Sequence, residues 1–384
     1  MMEWPIDPLL LSCVRARYHQ EALDEARHMV RKGDVDWEQF LRQTLRHNVG
    51  PLVHDTLRVN DEILPPWVKE ELRSTYYQAA ARNTTFYEEL AAIVRAFDEE
   101  NLPLILLKGA ALAQGTYENV ALRPMGDLDL LVRGEMMPRA EQLFSRKGYL
   151  VLAGADSHSR HMTLRHPDSA SGAHVEVHRH IVSSAYYRRA IPEEWLWRDS
   201  VQLPIDGVPA RTLSPEASVI HCCLHFLDHT GTRGALLWLC DIAEIARRAN
   251  LDWNGLADTL NRFRIVLPVR SVMLTCHELL GLPIPPHSLQ EILSLRPGFV
   301  EQKAYQFCLS SQRSQASKTL FDVLATRGLQ NRVRLLSSRL FPSPEYMESR
   351  YSIRHNWLVP LYYPRMILEA TLNGLRALRN PHRH

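Results

Sequence analysis

The residues best suited to do chemistry are three carboxylates and the bases around them. Asp127 and Asp129 flank Leu128 in RPMGDLDLLV, residues 123–132. Side chains alternate across a strand, so both carboxylates point to one face, and two adjacent anions need a cation between them. In HVEVH, residues 174–178, His174, Glu176 and His178 share a face while Val175 and Val177 share the other. Three such carboxylates suit metal-dependent phosphoryl or nucleotidyl transfer. Mg²⁺ takes oxygen ligands, and two ions a few ångströms apart stabilise both the attacking and the leaving oxygen of an in-line displacement. Lys108-Gly109 ends a short apolar run and opens a helix. Gly109 would let the backbone approach a phosphate to which the helix amides point, and Lys108 and Arg123 would bring positive charge to a triphosphate. Each residue also has a plainer reading. The aspartates suit a solvated strand end after Gly126, Glu176 suits an exposed sheet face, and Lys108 and Arg123 suit simple charge balance.

Further polar residues sit in places that call for a partner. Asp241 lies in the apolar helix run LLWLCDIAEIARR, residues 236–248, where a carboxylate needs one. It is a candidate for acceptor binding or proton transfer, or else for an ion pair across a domain interface. His221, His225 and His229 recur every four residues along one helix face, which fits either a transition-metal site or packing and capping. His174, His178 and His180, near Glu176, are placed for substrate contact, and His178 is the one assigned to the acceptor.

These groups must be held by elements, and the pattern changes twice along the chain. From Leu9 to about Glu100 apolar residues recur at helical spacings, among them Trp37, Phe40, Leu41 and Leu45. Pro65-Pro66 opens a long helix with an apolar side from Leu72 to Phe97, and Pro103 ends it. From Leu104 to about Leu213 strands and helices alternate, with strands expected at Leu104–Leu107, Asp127–Val132, Tyr149–Leu152, His161–Arg165 and His174–His178 and a helix from about Glu135 to Lys147. After that Ser214, Pro215 and Glu216 form a helix start, and helices are expected over Pro215–Asp228, Ala235–Ala249 and Leu267–Leu280. The expected organisation is an N-terminal helical domain (1–100), a mixed-sheet core (101–213) and a C-terminal helical domain (214–384), an α+β class.

Bulk properties narrow the function classes. A 384-residue chain, 45% hydrophobic and 23% charged, has the balance of a globular protein, and its formal charge of +2 argues against wholesale nucleic-acid binding. The six cysteines form no C-x-x-C pair, the N-terminus has no signal-peptide pattern, and no run reaches the length of a membrane span. A cytoplasmic protein without a membrane partner is expected. Beyond residue 327 acids thin out and arginines accumulate, giving a basic tail that is either solvated surface or a site for an anionic acceptor.

The unit LLKGAALA, Tyr117 and RPMGDLDLLV resembles the uncharacterised bacterial nucleotidyltransferase family of the polymerase-β type. HNVGPLVHDTL (47–57), VEVHRHI (175–181), LLWLCDIAEIARR (236–248) and LFPSPEYMESRY (340–351) sit where that family's flanking helices and third strand would be. The resemblance implies a small polymerase-β-like core between helical domains. It implies that Asp127 and Asp129 hold two Mg²⁺ ions, that Glu176 is the third carboxylate as metal ligand or general base, and that Lys108, Gly109 and Arg123 bind an NTP such as ATP. Transfer to an unidentified acceptor, a small molecule, sugar or peptide, would release pyrophosphate. The wider superfamily has serine after the glycine where this chain has Ala110. That departure motivates a second reading, a recognition or partner subunit that keeps the fold without turnover.

Overall fold

The computed structural model describes residues 6–58, 64–153, 161–182, 184–229, 234–249 and 251–309, and further on 330, 333, 337, 340–342, 344–351, 356–366 and 368–369. Helices come first: α1 (Pro8–Arg15), α2 (Gln20–Arg31), α3 (Trp37–Arg46), α4 (Gly50–Leu57) and α5 (Pro66–Glu99). Asp7 and Asp36 start α1 and α3 by accepting hydrogen bonds from the Leu10 and Gln39 amides, which fills otherwise orphaned donors of the first turn. The 34 residues of α5 match the expected long helix. It stops where Asn101 turns left-handed (φ 51°) and the Leu102 amide closes back on the Phe97 carbonyl.

A mixed seven-stranded sheet follows. Its strands are β1 (Ile105–Leu106), β2 (Asp127–Leu131), β3 (Leu150–Ala153), β4 (His161–Arg165), β5 (His174–His178), β6 (Val201–Gln202) and β7 (Arg211–Thr212), in the order β3-β4-β5-β2-β1-β7-β6. Between them run α6 (Lys108–Gly115), α7 (Met137–Arg146), α8 (Ala185–Ala190) and α9 (Glu193–Arg198). β1 is shorter than the expected Leu104–Leu107 because the chain leaves into α6 at Lys108, although the Leu107 amide still bonds the Asp129 carbonyl. β6 and β7 were not anticipated. They are closed by Ile205-Asp206-Gly207-Val208, where Asp206 and Gly207 both take positive φ, the Asp-Gly hairpin chemistry that the sequence does display.

The two faces of the sheet have different fates. Leu106, Leu128, Leu130, Met162, Leu164, Val175 and Val177 pack into one apolar cluster with Phe86, Leu90, Val94 and Phe97 of α5 and with Leu143 and Phe144 of α7. Ile105 and Leu131 join the larger cluster, shared with α1–α4 and with the later helices α10 (Pro215–Asp228), α11 (Ala235–Arg248), α12 (Trp253–Phe263), α13 (Val266–Leu280) and α14 (Pro286–Ser294). α10 begins as expected, with Ser214 accepting from the Ala217 amide and Pro215 at the first position. α15 (Phe299–Leu309) lies beyond α14, and the class is α+β.

Among the described residues no helix is long and apolar enough to cross a membrane. Most arginines of the basic tail lie outside the described residues; Arg365, which pairs with Glu369, and the backbone of Arg350 lie within them. Cys13, Cys222, Cys223, Cys240 and Cys276 are buried free thiols, and the side chain of Cys308 lies outside the described residues.

Candidate active site

Strand register assembles the acidic face. The parallel pairing of β2 with β5 sets Asp129 opposite Glu176 and Asp127 opposite His174. The antiparallel pairing of β4 with β5 sets His161 opposite His178 and Thr163 opposite Glu176. Period-two alternation sends Leu128, Leu130, Val175 and Val177 into the core and leaves the carboxylates and imidazoles on the other side. One oxygen from each of Asp127, Asp129 and Glu176 lies within 4.8 Å of the others.

Lys108 meets this face at the start of α6. Its Nζ donates to Asp129 Oδ1 at 2.7 Å, and its φ of 45° is left-handed, a conformation costing a non-glycine residue on the order of 1–2 kcal/mol. His178 Nε2 sits 2.7 Å from the same oxygen and 3.4 Å from Glu176 Oε2. Burial works against the Asp129 charge, but the Lys108 ammonium and the His178 hydrogen bond overcome it and hold this carboxyl well below the ordinary range. Burial also opposes the Lys108 charge, and Asp129 more than restores it. Asp127 has no such relief. Burial and then the neighbouring Asp129 charge push it up to about 7, with Lys108 only partly offsetting them. The site thus holds more negative charge than its cations neutralise.

Arg123 and Asp241, expected at the phosphates and the acceptor, bond to each other instead. Arg123 Nε donates to Asp241 Oδ1 at 3.0 Å and Nη2 to Oδ2 at 2.8 Å, a bidentate pair with both side chains at most 8% exposed. Nη1 donates to the Pro124 carbonyl, and the Tyr117 hydroxyl donates to Asp241 Oδ1 at 2.8 Å. All three donor groups of the guanidinium are engaged inside the protein, so geometry ties η1 (Val120–Leu122) and its flanks to α11. Asn83 of α5, fully buried, holds the same loop: its amide nitrogen donates to the Val120 and Arg123 carbonyls, and its oxygen accepts from the Met125 amide.

This packing also explains Gly109. A Cβ there would lie 2.9 Å from Arg123 Nη1 and 2.9 Å from Met125 Cγ, so the absent side chain makes room for the Arg123 strut. Ala110 is fully buried in the apolar cluster under the sheet, and its carbonyl accepts from the Tyr87 hydroxyl. The side chain of this turn that reaches the carboxylates is Lys108.

The histidines divide. His178 is in the site, His174 is exposed at the end of β5, and His180 Nε2 is bonded to the Ile191 carbonyl at 3.0 Å, with burial lowering its pKa to about 4. On α10, burial and then the Lys108 charge lower His221 to about 3. The His225 ring lies 4.5 Å from His229 and 4.6 Å from Trp238, centroid to centroid. Among the described residues, groups of three potential ligands converge at Asp127, Asp129 and Glu176 and at His161, Glu176 and His178, and not on α10. His161, Asn83 and Tyr117 had not been assigned roles. Nothing local marks His161, which only the β4–β5 register brings to His178, whereas Asn83 is legible as an amide on the apolar stripe of a helix.

A second polar network is built one helical turn along α11, at Glu244. Arg17 donates to Glu244 Oε1 (2.5 Å), Asp55 Oδ2 (3.1 Å) and Glu118 Oε2 (3.4 Å), while Arg247 and Arg248 donate to Glu244 Oε2 at 3.0 and 2.8 Å and Arg248 also bonds Glu118.

Some solved structures are similar to part of this chain. An antigenic nucleotidyltransferase-like protein from Paracoccidioides brasiliensis is 16% identical, over 55% of this chain and 92% of its own, with a TM-score of 0.35. The antibiotic-resistance factor ANT(2'')-Ia is 19% identical over 51% of this chain and 97% of its own, with a TM-score of 0.33. Its complex with adenylyl-2''-tobramycin gives 18% identity over 51% and 98%, with a TM-score of 0.29. No curated protein matches the sequence. Residues 33–281, well over half of the chain, match the family model described as uncharacterised nucleotidyltransferase, and the chain belongs to that family.

Proposed function

We propose that this protein is a Mg²⁺-dependent nucleotidyltransferase that moves a nucleotidyl group from an NTP to a small-molecule, sugar or peptide acceptor. The observation that carries this reading is the convergence of Asp127, Asp129 and Glu176 within 4.8 Å at a place where burial and Asp129 push the Asp127 carboxyl up to about 7. Uncompensated carboxylate charge of this kind fits a hard divalent cation with oxygen ligands. Asp127, Asp129 and Glu176 would hold the ions. Bound there, Mg²⁺ supplies Lewis-acid charge to the transferring phosphoryl group and to the leaving oxygen.

The chain's own residues do the rest. An acceptor oxygen attacks the α-phosphorus, the bond to the β-phosphate oxygen breaks, and pyrophosphate leaves with that electron pair. Glu176, a quarter exposed, is the carboxylate best placed to take the acceptor's proton. Lys108 orients Asp129 and brings positive charge to the triphosphate side of the site. Arg123 and Asp241 act as positioning residues, fixing the loop before β2 against α11. The NTP bound is ATP or another purine or pyrimidine triphosphate, and a cytoplasmic location suits both NTP supply and the free thiols.

Asp129→Asn should cut Mg²⁺-dependent transfer of label from α-labelled NTP to a pooled metabolite and peptide mixture about a thousandfold, with the circular dichroism spectrum retained. Unchanged labelling rejects the reading. The engagement of Lys108 by Asp129 favours a second reading, a nucleotide-recognition protein without turnover. That protein would bind NTP with Mg²⁺ in calorimetry and release no pyrophosphate with any acceptor.

A further inference from the structure

We propose that His161, Glu176 and His178 form a binding site for a divalent transition cation, of the Mn²⁺ to Zn²⁺ range, which neighbours the oxygen-only position at Asp127, Asp129 and Glu176 and shares Glu176 with it. The inference goes beyond the nucleotidyl-transfer reading and does not need it. One ligand atom from each of the three residues lies within 4.8 Å of the others. Sheet register makes this placement rigid. His161 is directly opposite His178 across the β4–β5 pair, and Glu176 is two residues from His178 on the same face.

The distances suit a small ion. His178 Nε2 is 3.4 Å from Glu176 Oε2, and His161 Nε2 is 4.0 Å from Glu176 Oε1. Tetrahedral coordination with arms near 2.0–2.2 Å separates ligand atoms by about 3.3–3.5 Å, so the first pair already spans a site and the second needs a small closure. His161 is the ligand able to provide it, since its side chain is 40% exposed against 14% for His178. The rings already lean together, with centroids 5.2 Å apart and planes at 43°.

Ligand chemistry separates the two positions. Two imidazole nitrogens and one carboxylate suit borderline transition ions and leave a coordination position open, whereas Mg²⁺ requires oxygen ligands. The shared Glu176 makes the sites neighbours, and Asp129 Oδ1, 2.7 Å from His178 Nε2, borders both. The half-exposed His161 lies at the mouth, which gives an ion a path from solvent.

The test is calorimetry on the full chain stripped with chelator, with Zn²⁺ and Mg²⁺ titrated separately and no nucleotide present. The wild type should bind Zn²⁺ with an affinity that His161→Ala weakens about tenfold or more. His225→Ala, on α10, and Asp127→Asn should leave Zn²⁺ affinity within about twofold, while Asp127→Asn weakens Mg²⁺. Unchanged Zn²⁺ binding in His161→Ala overturns the proposal. So does a loss of Zn²⁺ in His225→Ala, which would move the ion to α10. Because no NTP is involved, either result leaves the labelling test of nucleotidyl transfer standing on its own.

Discussion

Two clusters of buried or half-buried charge lie within a few residues of each other and are built on opposite principles. Around α11 the carboxylates all meet arginines: Arg123 faces Asp241 in a bidentate pair, and Arg17, Arg58, Arg247 and Arg248 share Glu244, Asp55 and Glu118. On the face of β2 and β5 they do not. Asp127, Asp129 and Glu176 confront one permanent cation, Lys108, with His178 sharing the same Asp129 oxygen. Balanced networks satisfy every donor and hold elements together. An unbalanced one leaves a carboxyl whose pKa rises to about 7, which fits the proposed cation site and not a strut. Carboxylates occur in both, but the cations differ: arginines around α11, and Lys108 with His178 at the face of β2 and β5.

That contrast breaks most easily at Asp241. Asp241→Ala leaves the Arg123 guanidinium buried without its anion and should destabilise the protein by about 3–5 kcal/mol, read by urea or thermal unfolding. Normal stability with lost nucleotidyl transfer would instead place Asp241 in the chemistry and erase the distinction. A smaller effect is expected at the joint between the clusters. Gly109→Ala puts a methyl against Arg123 Nη1 and Met125 Cγ and should cost about 1–3 kcal/mol, with Lys108 displaced as a consequence. If transfer activity falls in this variant without a loss of stability, Gly109 serves phosphate approach and not the strut.

A change read only through its pH dependence sharpens the comparison from the unbalanced side, and its sign is opposite. The folded pKa of Asp127 is raised above the unfolded value near about 4, so its contribution is fully present below that value and is lost as pH rises through about 7. Asp127→Asn should therefore flatten the decline of Tm between about pH 4 and pH 7 in chelator-treated protein. At pH 8 the variant should unfold at the same or a higher temperature than the wild type. A lower Tm at pH 8 would mean that the Asp127 charge is satisfied within the fold.

Much of this architecture is legible residue by residue. His161–Arg165, His174–His178 and Pro215–Asp228 follow the boundaries that alternation and the Ser214 cap dictate, because a period-two or capped pattern is written locally. The Asp-Gly turn between β6 and β7 is equally local, but two-residue strands carry no alternation of their own to announce the hairpin. Arg123 and Asp241 were a different matter. Each was recognisable as a charge needing a partner, yet 118 positions separate them in the chain, and nothing local names one as the other's counter-ion. His161 drew no attention for the same reason, since only the antiparallel register brings it to His178.

The sequence by itself determined the elements, the α+β class and the shared face of Asp127 with Asp129 and of His174 with Glu176 and His178, because strand alternation and helix capping act over a few residues. Only the tertiary structure decided which charges neutralise one another. Parallel pairing of β2 with β5 joined the carboxylates on one face, and the packing of α11 against the loop at Arg123 made Arg123 and Asp241 partners of each other. Coulombic balance depends on distances across the fold, and those distances are set by the packing of elements far apart in the chain.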